Sequence, residues 1–314
     1  MSTLQNTAFV FPGQGSQFLG MGLQLAQSYP IARATFAEAD AILGIPLSKL
    51  AWDGPEAELN DTVNTQPALF VHSVAAWRVF QQTYPNLQPT YTAGHSLGQL
   101  SALVAAGALQ FAEGLRLVRA RGLAMKYAGS INPGGMAAIL GLDIPTLEAV
   151  CAQASLPGEA VQVANDNCPG QVVLSGARPA LERAVELAKK AGAKRAMLLA
   201  VSIAAHSELM QPAQEAFAVA IEKANIRDAT IPIISNISAQ PIQTAKDLRT
   251  ELLAQLTQRV RWTDSIRFML ANSVDTFLEM GSGSVLTGLL KRIDREAQGI
   301  PLGLPADFFM LSIE

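Results

Sequence analysis

Two cysteines, Cys151 and Cys168, are all that the 314 residues contain. Two thiols cannot build a disulfide framework, and this pair lacks metal-ligand spacing, so a reducing compartment is expected. Histidine is equally scarce: His72, His95 and His206 are the only three, and any imidazole chemistry must fall to one of them. Charged residues make up 16% of the chain against 49% hydrophobic, a balance that describes a compact, well-buried globular protein. The formal net charge of −3 supplies no basic field for phosphates, which argues against nucleic acid as the main partner. The longest apolar run, around Leu100–Leu109, is too short to span a bilayer. The opening Met1-Ser2-Thr3-Leu4-Gln5-Asn6-Thr7 lacks the basic and apolar regions of a signal peptide. Internal repeats and low-complexity tracts are missing as well. A soluble, cytoplasmic protein of one large or two smaller domains is expected.

What is present alternates between strand and helix patterns. Ala8–Phe11 reads as a short buried strand, ended by Pro12-Gly13-Gln14-Gly15-Ser16-Gln17 and followed by a helix from Met21 to Ala41. Pro67–Phe80 has helical spacing with Pro67 at the favoured first position, and Ala112–Tyr127 reads as another helix. The stretch Gly134–Ser202 changes rhythm. It predicts strand Met136–Leu142, helix Pro145–Ala154, strands Val161–Ala164 and Gln171–Ser175, helix Pro179–Ala191 and strand Arg195–Val201. That order, βαββαβ, is the ferredoxin-like signature. It predicts a small domain, residues 130–199, inserted into an α/β domain made of residues 1–129 and 200–314. Beyond His206 the pattern predicts strand Thr230–Ile237, helices Asp247–Leu256 and Asp264–Ala271, strand Thr276–Met280 and a helix through Arg292. Strands alternating with helices predict a mostly parallel sheet covered on both faces.

Gly94-His95-Ser96-Leu97-Gly98 fits the G-x-S-x-G nucleophile elbow, with a strand Tyr91-Thr92-Ala93 before it and an apolar helix after it. Such a turn raises the serine hydroxyl to a helix N-terminus, where free N–H groups can hold an oxyanion. A serine nucleophile needs a base. His95 is adjacent on the tight turn and should diverge from the hydroxyl, and His72 lies mid-helix among apolar residues. His206 follows a strand at the sheet edge where catalytic groups gather, so it is the expected base. The turn at Gln14 fails as a dinucleotide fingerprint, because position 18 is Phe, and the chain has no G-K-[ST] phosphate loop. It can instead offer the Gln14 N–H beside that of Leu97, each donor being worth on the order of 3–4 kcal/mol in acyl transfer. A plain glycine turn remains the alternative.

Arg121 shares a helical stripe with Leu117, Ala124 and Met125, so its guanidinium faces the interior, whereas Arg116 and Arg119 read as solvated. A buried arginine must find a carboxylate, and both a structural ion pair and a ligand would serve. The run Lys189–Arg195 reads either as a solvated helix end or as a docking surface for an acidic partner. Gly281-Ser282-Gly283 reads either as an anion-binding helix start or as a tight packing turn.

Together these segments resemble the malonyl-CoA:acyl-carrier-protein transacylases. The likeness also takes in Thr65-Gln66-Pro67-Ala68, Arg119-Ala120-Arg121-Gly122, Asn167-Cys168-Pro169-Gly170-Gln171, Val260-Arg261-Trp262 and Gly283-Ser284-Val285-Leu286-Thr287-Gly288-Leu289. They run in order over residues 8 to 293. The resemblance implies an α/β-hydrolase-like core with a ferredoxin-like insertion and a ping-pong reaction with no bound cofactor or metal. Ser96 would carry the malonyl group from malonyl-CoA to the phosphopantetheine thiol of acyl carrier protein. His206 would act as base, Gln14 and Leu97 as oxyanion donors, and Arg121 as clamp on the malonyl carboxylate. It further implies substrate contacts from Asn167, Gln171 and Arg261, with the carbonyl that orients the base near Arg261. His95, Gln99 and Ala205 would support the reacting groups from around them. The expected partner is acidic acyl carrier protein docking on the Lys189–Arg195 region, and the chain is expected to be a monomer. Two positions depart from the family pattern: Gln99 stands where a Glu is usual, and Ala205 where a bulkier Phe or a Ser is often found. The smaller Ala205 would widen the pocket toward larger acyl groups. A thioester hydrolase on the same scaffold, and a catalytically silent carrier-binding module, are the rival readings.

Overall fold

The structure is a computed structural model that describes residues 6–311; the Met1–Gln5 part of the segment read above for a signal peptide lies outside them. The described residues form ten strands: β1 (Thr7–Phe11), β2 (Tyr91–Gly94), β3 (Gly134–Leu140), β4 (Val161–Cys168), β5 (Gln171–Ala177), β6 (Arg195–Leu198), β7 (Ile233–Ile234), β8 (Pro241–Ile242), β9 (Thr276–Met280) and β10 (Gln298–Leu302). They form two sheets. The larger has the order β10-β9-β1-β2-β7-β8, parallel throughout except for β8. Every residue of β1 and β9 is buried, as expected of central strands covered by helices on both faces. The smaller sheet is antiparallel with the order β4-β5-β3-β6, and the helices Ile144–Ala154 and Arg178–Lys190 pack against it. Its buried residues, among them Ile139, Leu147, Leu174 and Leu181, form a cluster separate from that of the larger sheet. The backbone of Val260 joins the two by exchanging hydrogen bonds with Ala164 and Asp166 of β4. The expected α/β class, a parallel-rich sheet with a ferredoxin-like strand order beside it, is the observed one.

Several local expectations are corrected. The helix expected from Met21 to Ala41 is two, Leu23–Ser28 and Pro30–Leu43. Pro30 excludes the helical conformation at Tyr29, which is extended at φ −123° and ψ 117°. Pro67 does not start a helix. It lies inside Thr62–Thr83, whose N-terminus is capped by the Asp61 carboxylate. A proline there leaves the Val63 carbonyl without its helical donor, and Arg119 Nη1 supplies one at 2.7 Å. Arg119 also reaches Asn64 Oδ1, so the residue read as solvated is half-buried and hydrogen-bonded. The strand expected over Thr230–Ile237 shrinks to Ile233–Ile234, while β10 and the helix Pro305–Leu311 were not foreseen. Among the described residues no helix is long and apolar enough to cross a membrane.

This architecture places the chemistry. β1 and β2 lie side by side with Phe11 opposite Gly94, so the turns that follow both strands meet at one edge. The helix Phe111–Ile131 packs along Thr62–Thr83 and carries Arg121 on its buried face.

Candidate active site

Ser96 has φ 52°, in the left-handed region where the Cβ of an ordinary residue costs about 1–2 kcal/mol. The surroundings hold it there. A Cβ on Gly94 would overlap the backbone of Gly98, and one on Gly98 would overlap the Phe11 carbonyl. The strand and the helix Gly98–Ala105 can therefore approach only with glycine at both positions. Asn236 then clasps the turn from both sides: its Oδ1 accepts the Ser96 N–H at 2.8 Å, and its Nδ2 donates to the Gly94 carbonyl at 2.8 Å.

His206 Nε2 lies 2.8 Å from Ser96 Oγ, and its Nδ1 lies 2.7 Å from the Gln255 carbonyl. A carbonyl only accepts, so Nδ1 carries the hydrogen and Nε2 presents its lone pair to the serine. Burial, and then the charge of Arg121, push the His206 pKa down to about 3, with the Gln255 carbonyl opposing. The imidazole is thus neutral near pH 7 and free to take a proton. The orienting carbonyl belongs to Gln255 and not to the neighbourhood of Arg261. Gln255 follows the last residue of the helix Ala245–Ala254, where helical carbonyls lose their intrahelical donors. Gln162 of β4 steadies the same turn, donating to the carbonyls of His206 at 3.1 Å and Thr257 at 3.2 Å.

Arg121 is 2% exposed. Its guanidinium donates to Gln66 Oε1 at 2.8 Å, Ser96 Oγ at 3.0 Å and Gln255 Oε1 at 3.1 Å. Among the described residues it pairs with no carboxylate. The structural ion pair left open by the sequence is therefore not formed. Burial lowers its pKa to about 10, which leaves it charged at neutral pH beside the serine. A dry cation held by neutral oxygens is a site for an anion.

These groups line a cavity of about 470 Å³ between the two sheets, with Gln14, Leu97, Asn167 and Ala205 also on its wall. Neither the Leu97 nor the Gln14 backbone N–H has an acceptor among the described residues. The Gln14 side chain is engaged elsewhere, accepting from Thr62 Oγ1 at 2.9 Å. His95 turns to Asn167, its Nε2 donating to Oδ1 at 2.9 Å, and its ring meets Trp262 edge-on. Gln99 is fully buried below the elbow, where its Oε1 accepts from Gln255 Nε2.

Two expected members are not brought into this cavity. Gln171 accepts from Arg292 away from Ser96. Arg261 is paired with Asp264 at 2.8 Å and lines a different, wider cleft of about 700 Å³ together with Glu148 and Arg259. Gln66, Gln255 and Asn236 do take part and were not foreseen in these roles. Gln255 had a readable signal in its place at a helix end and Gln66 in the Thr65–Ala68 segment of the family likeness; Asn236 had none. The remaining candidates stand apart. His72 is buried, donating Nε2–H to the Gly303 carbonyl at 3.1 Å. The helix start after Gly281-Ser282-Gly283 is already occupied by a carboxyl group of the chain itself: Glu279, its pKa pushed up to about 7 by burial, accepts from Leu286 N at 2.9 Å and Thr287 N at 2.8 Å. Lys189 pairs with Glu186 on the solvent side at the end of its helix.

A family model described as an acyl transferase domain matches residues 8–302. A malonyl CoA-acyl carrier protein transacylase of Bacillus subtilis is 45% identical over 302 residues, covering 96% of this chain and 95% of that protein. An acyl carrier protein S-malonyltransferase structure from Vibrio cholerae superposes with a TM-score of 0.94 at 43% identity, covering 98% of this chain and 99% of that one. A structure of a type II PKS acyl-carrier protein in complex with its malonyl-transacylase gives 0.94 at 43% identity, with 97% and 98% covered. Similarity at this level over nearly the whole length, in sequence and in fold alike, means that the chain belongs to the malonyl CoA-acyl carrier protein transacylase family of acyl transferases.

Proposed function

We propose that this chain moves a malonyl group from malonyl-CoA to the phosphopantetheine thiol of acyl carrier protein through an ester on Ser96. One observation carries the choice of acyl group: a buried arginine without a counter-ion, 3.0 Å from the serine hydroxyl. A malonyl carboxylate fits that vacancy of charge, and the planar guanidinium can grip it through two parallel bonds.

The steps follow from the geometry. Ser96 Oγ gives its proton to His206 Nε2 and attacks the thioester carbonyl carbon. The carbonyl oxygen becomes an oxyanion held by the Leu97 and Gln14 N–H groups. Collapse breaks the carbon–sulfur bond, and the leaving CoA sulfur takes the proton from His206. In the second half the carrier thiol gives its proton to His206 and attacks the Ser96 ester; collapse returns the proton to Ser96 Oγ. Binding of the substrate carboxylate also offsets the Arg121 charge that disfavours protonated His206. The base therefore strengthens once the correct acyl group is seated.

Each step is supplied by side chains and backbone amides, so the reading uses no metal or cofactor. Residues 1–129 and 200–314 form the catalytic domain in this reading, and residues 130–199 a small domain. The separate buried cluster of the small sheet supports the division. Acyl carrier protein is the acceptor, and the exposed cations of the Lys189–Arg195 run offer an acidic carrier a surface. A monomer working in the cytoplasm completes the reading. Mass spectrometry after exposure to malonyl-CoA tests it. The wild-type protein should gain one malonyl group and Ser96→Ala none, and a Ser96→Ala protein that is still labelled would overturn the assignment.

A further inference from the structure

Below the elbow lie two buried polar side chains that the transfer steps leave unused, Glu251 at 6% exposure and Gln99 at 0%. Glu251 pairs with no cation among the described residues. Instead its Oε1 accepts from the Asn236 N–H at 2.7 Å and its Oε2 from the Ser235 hydroxyl at 2.6 Å. Ser235 Oγ in turn accepts from Ile237 N at 3.1 Å and Ser238 N at 2.9 Å, which commits its hydrogen to the carboxylate. Burial raises the Glu251 pKa, and the Ser235, Asn236 and Gln99 groups that face the carboxylate oppose the rise, although Gln99 Nε2 has no partner of good geometry. Its Oε1 is already engaged by Gln255, so the amide nitrogen is the end left for Glu251.

Both residues reach the nucleophile at one remove. Glu251 fixes the backbone of Asn236, whose side chain holds Ser96 N and the Gly94 carbonyl. Gln99 fixes the side chain of Gln255, which donates to the Ser96 carbonyl at 3.1 Å and accepts from Arg121. Accepting Ser96 as the nucleophile, we propose that Glu251 is a positioning residue for it, matched to Gln99 as one carboxylate facing one amide. The matching has a physical reason. A second carboxylate at position 99 would place two anions side by side in a buried site, and one would have to take up a proton. An amide at both positions would set an NH₂ group of residue 251 against the Ser235 and Asn236 donors or leave them unpaired. One charge divided between two positions satisfies the Ser235 and Asn236 donors without setting two carboxylates against each other. It also accounts for an amide at the residue following the elbow.

Four proteins test the pair: wild type, Gln99→Glu, Glu251→Gln and the exchange Gln99→Glu/Glu251→Gln. Each is assayed for kcat and KM of acyl-enzyme formation from malonyl-CoA, with circular dichroism to verify folding. Each single change is expected to lower kcat about tenfold and to leave KM within about twofold, because alignment of Ser96 is disturbed and the acyl cavity is not. The exchange is expected to be at least about fivefold faster than the worse single variant, as coupled neighbours are not additive. A double variant slowed by the product of the two single effects would overturn the proposal, as would Glu251→Gln with wild-type kcat. If Glu251→Gln does not fold, a folded and active exchange still supports the pairing, and an exchange that also fails to fold overturns it. A wild-type protein that forms no acyl-enzyme would overturn the transfer reading itself, and the pairing with it.

Discussion

Replacing Arg121 by Met keeps much of the side-chain volume among Leu117 and Met125 but removes the charge. With malonyl-CoA the substrate carboxylate then meets a buried position without a counter-ion. Deleting one partner of a buried ion pair costs about 3–5 kcal/mol. At about 1.36 kcal/mol per factor of ten, that predicts a loss of roughly 10²- to 10⁴-fold in kcat/KM. Acetyl-CoA carries no carboxylate and escapes this loss. Two further effects act on the acetyl reaction, and both favour it. Ser96 Oγ loses the hydrogen bond from Arg121, which withdraws electron density from the nucleophile. His206 loses the neighbouring cation that depresses its pKa, and so becomes a stronger base. The acetyl reaction should therefore stay within about threefold of wild type or rise, converting a malonyl preference into an acetyl one. Acyl-enzyme formation with the two CoA esters, followed by rapid quench and mass spectrometry, measures both rates on one protein. Equal losses for malonyl and acetyl would refute the reasoning, since Arg121 would then act on the serine and not on the substrate carboxylate. No loss for either would remove the clamp altogether.

Ala205 lies on the cavity wall, so Ala205→Phe should reduce kcat/KM for a branched substrate such as methylmalonyl-CoA by about tenfold more than for malonyl-CoA; equal effects would show that the acyl group does not pass this residue. The pH dependence of kcat/KM with acetyl-CoA reports the base. Burial and Arg121 both disfavour protonated His206, so its acid limb should lie well below the ordinary pH 6.5 and move up in Arg121→Met; a limb near 6.5 in both proteins would contradict this. The fold responds in the same direction. With the folded-state pKa values of His206 and His72 depressed to about 3 and about 4, the unfolded chain binds the extra protons first. Their contribution to stability is complete above pH 6.5 and is lost as the pH falls toward those values. Circular dichroism across the same range separates loss of the base from loss of the fold.

Features that depend on residues near one another in the chain are legible in the sequence. The elbow was one, because the strand, the two glycines and the helix that force the turn are contiguous. The ferredoxin-like order was another, since its strands and helices are announced by their own periods and all but the last strand are followed closely by a glycine or proline. Where a local rule competes with packing, packing wins. Pro67 looks like a helix start, yet it sits inside a longer helix because Arg119, more than fifty residues away, supplies the hydrogen bond that proline withholds.

The sequence by itself led to Ser96 on a strained turn, to His206 as the histidine expected beside it, and to an inward-facing Arg121. Periodicity and turn chemistry decide which way a side chain points. They do not decide what it meets. Only the tertiary structure decided that Arg121 ends on Gln66, Gln255 and the serine with no carboxylate, and that the Gln255 carbonyl orients His206. It also took Gln171 and Arg261 out of the cavity and brought Asn236 and Glu251 beneath the elbow. These partners lie on separate elements far apart in the chain. Which of many polar residues meet depends on how the helices and the two sheets pack, and a spacing rule within one element carries no record of that.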